Sequence, residues 1–547
     1  MKYLVVVPVL ILNFIFLSCN PQEQVDLLVT NAKAYTVDED FSIAEAFAVT
    51  DGKIIEVGTT AELMSKYSAA EVINAEGKTI LPGLIDAHAH LYNLGLKLAR
   101  VDLDATVSYE DVINRIQVFQ KKYPETKYII GRGWDQNDWD IQEFPTKDTL
   151  DLLFPDIPVA LTRIDGHAMI VNQAALDKAG IDESTEIFGG EIQKKEGKLT
   201  GILIDNPMSV IKATFPEVDK EAQTRALKSA EDIAISLGLT SLVDAGLNAD
   251  VIHLINDLHE QNELKLRIYA MLSNTEENIS EFLDSGILKT DRLNVRSIKV
   301  YADGALGSRG AVLKEPYSDL DHHFGSMIID LDDFQKLAKR IHGSEFQMNT
   351  HAIGDSANYV VLKTYEELLK KDSDKRWRVE HAQVMDESDF KYFDGENIIP
   401  SVQPTHATSD MYWAEDRLGA ERIGGAYAYK TLLEYAGKVA LGTDFPIENV
   451  NPFLTFYAAV ARKDLKGYPE GGFNADEKLS REQTLKGMTI WAAYANFEEN
   501  EKGSLEAGKF ADFIIVDKNP MEIEESEIPD IKVLSTFIDG EQVFELN

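Results

Sequence analysis

Along residues 83–499 apolar and polar positions follow one repeating pattern. A short apolar run ends in small or polar residues, and a longer stretch with helical spacing of its apolar positions comes next. Runs of the first kind fall at 80–90, 240–246, 266–273, 297–304, 346–351, 377–381, 398–403 and 438–444; stretches of the second kind include 222–237, 331–342 and 357–369. Such alternation is what βα units on a parallel sheet produce, and eight strands are what a (β/α)8 barrel requires. An α/β chain built round a TIM-type barrel is therefore expected over 83–499.

Both ends of the chain read differently. Residues 27–29, 47–49 and 53–57 at one end, and 513–516, 536–538 and 542–544 at the other, are short β-type runs, with Asp51-Gly52 and Asp539-Gly540 as two-residue hairpin signals. Neither end is long enough for a core of its own, so 25–82 and 500–547 are expected to pair as one small β-sandwich domain beside the barrel. Within the barrel, the gap between the first two strands, about 96–232, is too long for one helix and holds strand-like runs at 128–130, 158–161 and 201–204. It is expected to form an inserted subdomain capping the mouth, because loops after barrel strands lie on the active-site face.

Residues 4–17 form an apolar run too short to span a bilayer but suited to a signal peptide, and Cys19, the one cysteine of the chain, follows Ser18. Residues 1–19 thus read as a lipoprotein signal with Cys19 as the lipidation site, or as an ordinary secretory signal. Either places the protein in a bacterial cell envelope, lipid-anchored or periplasmic. A formal net charge of −38 argues against a broad basic surface for nucleic acid or anionic lipid, so membrane contact is expected through the anchor alone. A homo-oligomer is compatible with the sequence and not specified by it.

The strand ends carry the chemistry. In 81–90 an apolar run closes on His88 and His90, and strand alternation points both imidazoles to one face, where they can share a metal. Taken alone, a His-x-His pair is more often structural than ligating. Lys299 alternates with Ile298 and Val300, which places Ser297, Lys299, Tyr301 and Asp303 towards the barrel interior. A buried lysine is pushed towards its neutral amine, which can add carbon dioxide to become an anionic carbamate ligand; an ion pair with Asp303, or a strand shifted by one residue, is the alternative. His351, His381 and Asp444 each close a further run. Together these strand ends offer four imidazoles and two oxygen anions, enough for one or two divalent ions, and a zinc-type ion lowers the pKa of its bound water to about 7.

The set resembles the amidohydrolase superfamily, and more narrowly its YtcJ-like branch, which includes N-substituted formamide deformylases. The matching segments are Arg163-Ile164-Asp165-Gly166-His167, Ala302-Asp303-Gly304-Ala305-Leu306-Gly307-Ser308-Arg309, His351-Ala352-Ile353-Gly354-Asp355 and Gly503-Ser504-Leu505-Glu506-Ala507-Gly508-Lys509-Phe510-Ala511-Asp512. The resemblance runs from about Val25 to the C-terminus. It implies metal ligands at His88, His90, a carboxylated Lys299, His351, His381 and Asp444, with zinc as the expected ion. It also implies a metal-activated hydroxide that attacks a carbon–nitrogen bond, Asp444 shuttling the proton. His381 and His167 join Asp444 as catalytic candidates, His167 being either a substrate contact or a cap or core histidine. The segment 131–139 resembles a branch motif that reaches the pocket, so Trp134, with Asp303, Arg309 and Gln403, is a substrate-binding candidate; packing of Trp134 and Trp139 within the insert is the alternative. Of the other histidines, His253, His259 and His342 are expected to face solvent, and His322, His323 and His406 to approach the mouth.

The expected partner is a small amide-type molecule, N-acyl or N-formyl. An esterase, lactonase or phosphotriesterase would use the same ligands, a mononuclear deaminase would not need Lys299, and a lipid-anchored binding protein would need none of the chemistry.

Overall fold

Eight parallel strands form the central sheet of the computed structural model, which describes residues 22–369, 374–395 and 397–546. They are β1 (Leu84–Ala89), β2 (Leu239–Leu247), β3 (Arg267–Ser273), β4 (Leu293–Tyr301), β5 (Gln347–Ala352), β6 (Trp377–His381), β7 (Ile398–Val402) and β8 (Ala440–Leu441). Each pairs with the next in chain order. No ladder joins β8 to β1, and the seam is held instead by the Asp444 amide donating to the His88 carbonyl at 2.7 Å and by Thr443 donating from backbone and hydroxyl to Asp86. The result is a nearly closed barrel, the α/β architecture expected from the strand count. The signal segment and Cys19 lie outside the described residues.

The surrounding helices form for local reasons. In the helix Leu331–His342, Asp330 caps the N-terminus, acidic residues fill the first turn and Lys339, Arg340 and His342 the last, which suits the helix dipole. Phe334, Ala338 and Ile341, spaced for one face, are buried against the barrel, and burial is worth about 1.5–3 kcal/mol for each of the two large side chains. The helix Lys220–Ser236 does the same with Leu227, Ala230 and Ala234.

Two expected runs change character at their ends. The run 80–90 divides at Gly83: Thr79–Pro82 pairs antiparallel with Phe513–Val516 in an end sheet, and only Leu84–Ala89 enters the barrel. The run 438–444 contributes just Ala440–Leu441, because Thr443 is bonded to Asp86 and Asp444 takes a left-handed φ of 63°. Gly442 permits this turn, since a Cβ there would lie 2.5 Å from the His88 amide nitrogen.

Chain ends contribute two further sheets, one of four strands and one of six that interleaves 33–82 with 513–545. Leu27, Val29, Phe47, Ile54, Ile80, Phe513 and Phe537 fill the core they share. Asp51-Gly52 and Asp539-Gly540 both have positive φ at both residues, as two-residue hairpin turns need. Between β1 and β2 the chain builds a six-stranded mixed sheet whose inner strands include Ile129–Trp134, Val159–Arg163, Ala168–Val171 and Lys198–Asp205. Among the described residues no helix is long and apolar enough to cross a membrane.

Candidate metal centre

At the C-terminal ends of the barrel strands a cavity of about 590 Å3 opens beneath the inserted sheet. His88, His90, Lys299, His351, His381 and Asp444 all line it, as does His167 from the insert. One ligand atom each from His88, His381 and Asp444 lies within 4.8 Å of the others. The remaining members stand close by. His90 Nε2 is 3.2 Å from Asp444 Oδ1, Lys299 Nζ is 3.0 Å from His88 Nε2, and the His351 ring centroid is 4.6 Å from that of His381.

Buried partners set which nitrogen each imidazole presents. The His88 Nδ1–H donates to Glu380, and His381 Nδ1–H donates to Gln403 Oε1 at 2.7 Å, so in each ring Nε2 keeps its lone pair for the centre. Glu380 is itself held by Arg378, which also donates to the Ala87 carbonyl and to Ser401. Burial works against ionised Glu380, but Arg378 and His88 override it and hold the carboxyl well below its ordinary range. Burial, reinforced by Lys299, draws His88 down to about 4, with Glu380 pulling the other way. His351 and His381 are likewise driven far below the ordinary imidazole value, first by burial and then by neighbouring cations. The three rings are neutral near pH 7. Asp444 resists burial through His406 and His90 and stays anionic.

This donor set fits a divalent cation. His88 Nε2 carries a lone pair and faces Asp444 Oδ1 at 3.7 Å, so two acceptors confront each other. Asp444 Oδ1 and His351 Nε2 are both buried with no hydrogen bond, a costly state that bound cations would relieve, Asp444 within the cluster with His88 and His381 and His351 beside it. Lys299 completes the floor. It is 1% exposed and forms no ion pair with Asp303, and burial lowers its ammonium to about 8 against the opposing pull of Glu380 and Asp444.

The four substrate-binding candidates lie outside the cavity lining. Trp134 is fully buried, donates from its indole to the Leu161 carbonyl and packs beside Trp139 in the core of the insert. Asp303 accepts from the amides of Val312, Ile353 and Gly354 and so braces the loop after β5, which carries His351. Arg309 pairs with Asp319, and Gln403 orients His381. Each is corrected from a substrate contact to a supporting role, for the common reason that its polar atoms are spent on protein partners. His259 is also corrected, since it is part-buried against the Leu266 carbonyl, and His342 packs edge-on to Trp377, whereas His253 is exposed. His323 bonds to the Arg309 carbonyl and, with His322, lies outside the lining; His406 lines the cavity.

Several site residues went unread in the sequence. Glu380 is one, although Arg378 and Glu380 flanking Val379 place two charges on one face of an apolar strand. Asp205 is another: it closes the apolar run 201–204 and accepts from His167 Nδ1 at 2.7 Å. Burial opposes protonation of His167, but Asp205 outweighs it and raises the imidazole above its ordinary value. Glu448 is a third, 3.1 Å from His406 Nδ1, while His406 Nε2 is 3.3 Å from Asp444 Oδ2.

Comparison with known proteins agrees with this geometry. Protein LONG AFTER FAR-RED 3 of Arabidopsis thaliana is 31% identical over 537 residues, 95% of this chain and 91% of its own. YtcJ of Bacillus subtilis is 32% identical over 520 residues, 93% and 98% of the two chains. The N-substituted formamide deformylase of Arthrobacter pascens is 26% identical over 537 residues, 94% and 97%. Among solved structures, a metal-dependent hydrolase from Pyrococcus horikoshii OT3 superposes with a TM-score of 0.74 at 27% identity, covering 91% of this chain and 99% of that one. The family model described as "Amidohydrolase family" matches residues 71–544. A barrel with His88, His381 and Asp444 gathered at its mouth, matched over nearly its whole length, belongs to the amidohydrolase family as a metal-dependent hydrolase.

Proposed function

We propose that this chain hydrolyses a carbon–nitrogen bond of a small non-peptide amide, N-acyl or N-formyl in type. The carrying observation is the convergence of lone pairs from His88 and His381 on the Asp444 carboxylate at the cavity floor. Full-length similarity to an N-substituted formamide deformylase supports the choice of bond. A divalent cation held by these residues, with His90 and His351 beside them, supplies an activated water and polarises the scissile carbonyl. Zinc is the ion we favour for this nitrogen and oxygen donor set. Lys299, buried and without a carboxylate partner, is suited to carry a carbamate that adds an oxygen ligand.

Asp444, anionic at the cavity floor, takes the proton of the attacking water and returns it to the leaving nitrogen. His167, anchored on Asp205, presents its other nitrogen to the cavity 4.9 Å ring to ring from His351, where it can donate to the oxygen that gains charge. The test is a panel of N-formyl, N-acyl, ester, lactone and phosphotriester compounds on protein loaded with zinc and bicarbonate, with metal counted in parallel. Amide turnover that disappears on chelation is expected; preference for an ester over every amide overturns the proposal. A Lys299→Ala variant that keeps its full metal count would remove the carbamate.

A further inference from the structure

Acidic groups outnumber basic ones in this chain by 92 to 54, so unpaired cations are not expected to gather at one place on a cavity wall. Three cations beside the cavity break that expectation. Arg132 donates from Nη2 to the Ile164 carbonyl at 2.8 Å and forms no ion pair, and its Nε is buried with no partner. Neither Arg100 nor Lys212 has a side-chain hydrogen bond or ion pair among the described residues. Arg132 and Lys212 line the cavity, and Arg100 stands behind them near enough to repel both.

The nearby carboxylates are each bonded to another cation, Asp104 to Lys97, Asp165 to Arg163 and Asp205 to His167, so they attract Arg132 and Lys212 only at a distance. Lys212 is exposed at the mouth, within repelling range of Arg132 and Arg100. Asp138, Asp410 and Glu448 line a different part of the same cavity and repel one another, so negative charge is unwelcome there. Away from the metal centre, an incoming anion is therefore favoured beside Arg132 and Lys212 rather than beside these carboxylates.

We propose that Arg132 and Lys212, backed by Arg100, form an anion subsite, and that the substrate carries a carboxylate on the portion held by the insert. This rests on the hydrolase reading for its setting and adds the charge of the substrate to it. Arg132 supplies a planar fork and Lys212 a mobile point charge, a pairing suited to a carboxylate.

The zinc-loaded full chain is tested with N-formylphenylalanine and with N-formyl-2-phenylethylamine, which lacks only the carboxylate. The anionic compound is expected to be preferred in kcat/KM by about 100-fold, falling at least about tenfold in Arg132→Met or Lys212→Met and further in Lys212→Glu. Lys212 is exposed at the end of the short helix Pro207–Lys212, so its variants are expected to fold. Equal kcat/KM for the two compounds, or a preference that survives both Met variants, overturns the subsite while leaving amide hydrolysis standing. If neither compound is cleaved, calorimetric titration with benzoate decides: affinity lost in both variants upholds the subsite although the amide reading fails, and affinity unchanged in both overturns it.

Discussion

Strand β1 and the insert strand Ile129–Trp134 both run into conspicuous motifs, yet they obey alternation differently. At the end of β1, His88 in the strand and His90 just beyond it lie two apart and both line the cavity. In the insert, Arg132 and Trp134 are also two apart, but Arg132 faces the cavity while Trp134 enters the core with Ile129. A register shift between Arg132 and Trp134 separates them, and Gly133 at that point has a φ of +120°. A bulge reverses the face of every residue after it. A Cβ at Gly133 would lie 1.9 Å from Asp104 Oδ1, so the reversal is built on glycine. Period-two reasoning fails where a bulge within the strand turns the following side chains to the other face.

The sharpest way to break this contrast is to remove the proposed proton carrier at the barrel rim. Asp444→Asn is expected to lower kcat/KM on the best amide by about 10,000-fold, about 5 kcal/mol of transition-state stabilisation, in steady-state assays of metal-loaded protein. A loss under about tenfold would take Asp444 out of proton transfer. On the bulged side, Trp134→Ala should cost stability, about 3–5 kcal/mol in urea melts, as expected for a fully buried indole. An equally stable variant with a raised KM would return Trp134 to the cavity.

Between these lies the orienting layer. Glu380→Gln keeps the shape but weakens the hold on His88, so zinc affinity measured against a competing chelator should fall about 10- to 100-fold. Unchanged affinity would make Glu380 a packing residue. The smallest effect belongs to Asp138, in the insert segment, which partial burial and then Asp135 raise from 3.8 to about 6. A raised carboxyl favours the protonated fold, a contribution present below the unfolded pKa and lost as pH rises through about 6. Asp138→Asn should therefore raise Tm above pH 6 and leave it unchanged below about pH 4. Solvent screening at this exposed position keeps the gain under about 1 kcal/mol. A gain that is constant with pH would deny the titration.

Much of the barrel was legible because each strand is a short run rich in apolar residues that ends on a distinct polar residue, a local signal that survives without knowledge of neighbours. The residues that line the rim were legible for the same reason. Asp303, Arg309 and Gln403 were misread because their roles depend on which backbone amides, carboxylates and imidazoles stand opposite, and those partners are 50 residues away for Ile353 and 22 for His381. Glu380 and Arg378 were missed since a charge pair inside an apolar strand looks, in one dimension, like an interruption.

By itself the sequence determined the order of the strands, the identity of the rim residues and the excess of negative charge, all properties of composition and local periodicity. Tertiary structure alone decided which nitrogen of His88 and His381 is left open, which side of the insert Trp134 occupies, and that Arg132 and Lys212 line the cavity without an ion pair. Those outcomes depend on long-range partners and on one bulge, and neither hydrogen-bond pairing nor charge neutralisation is written in the spacing of residues along a chain.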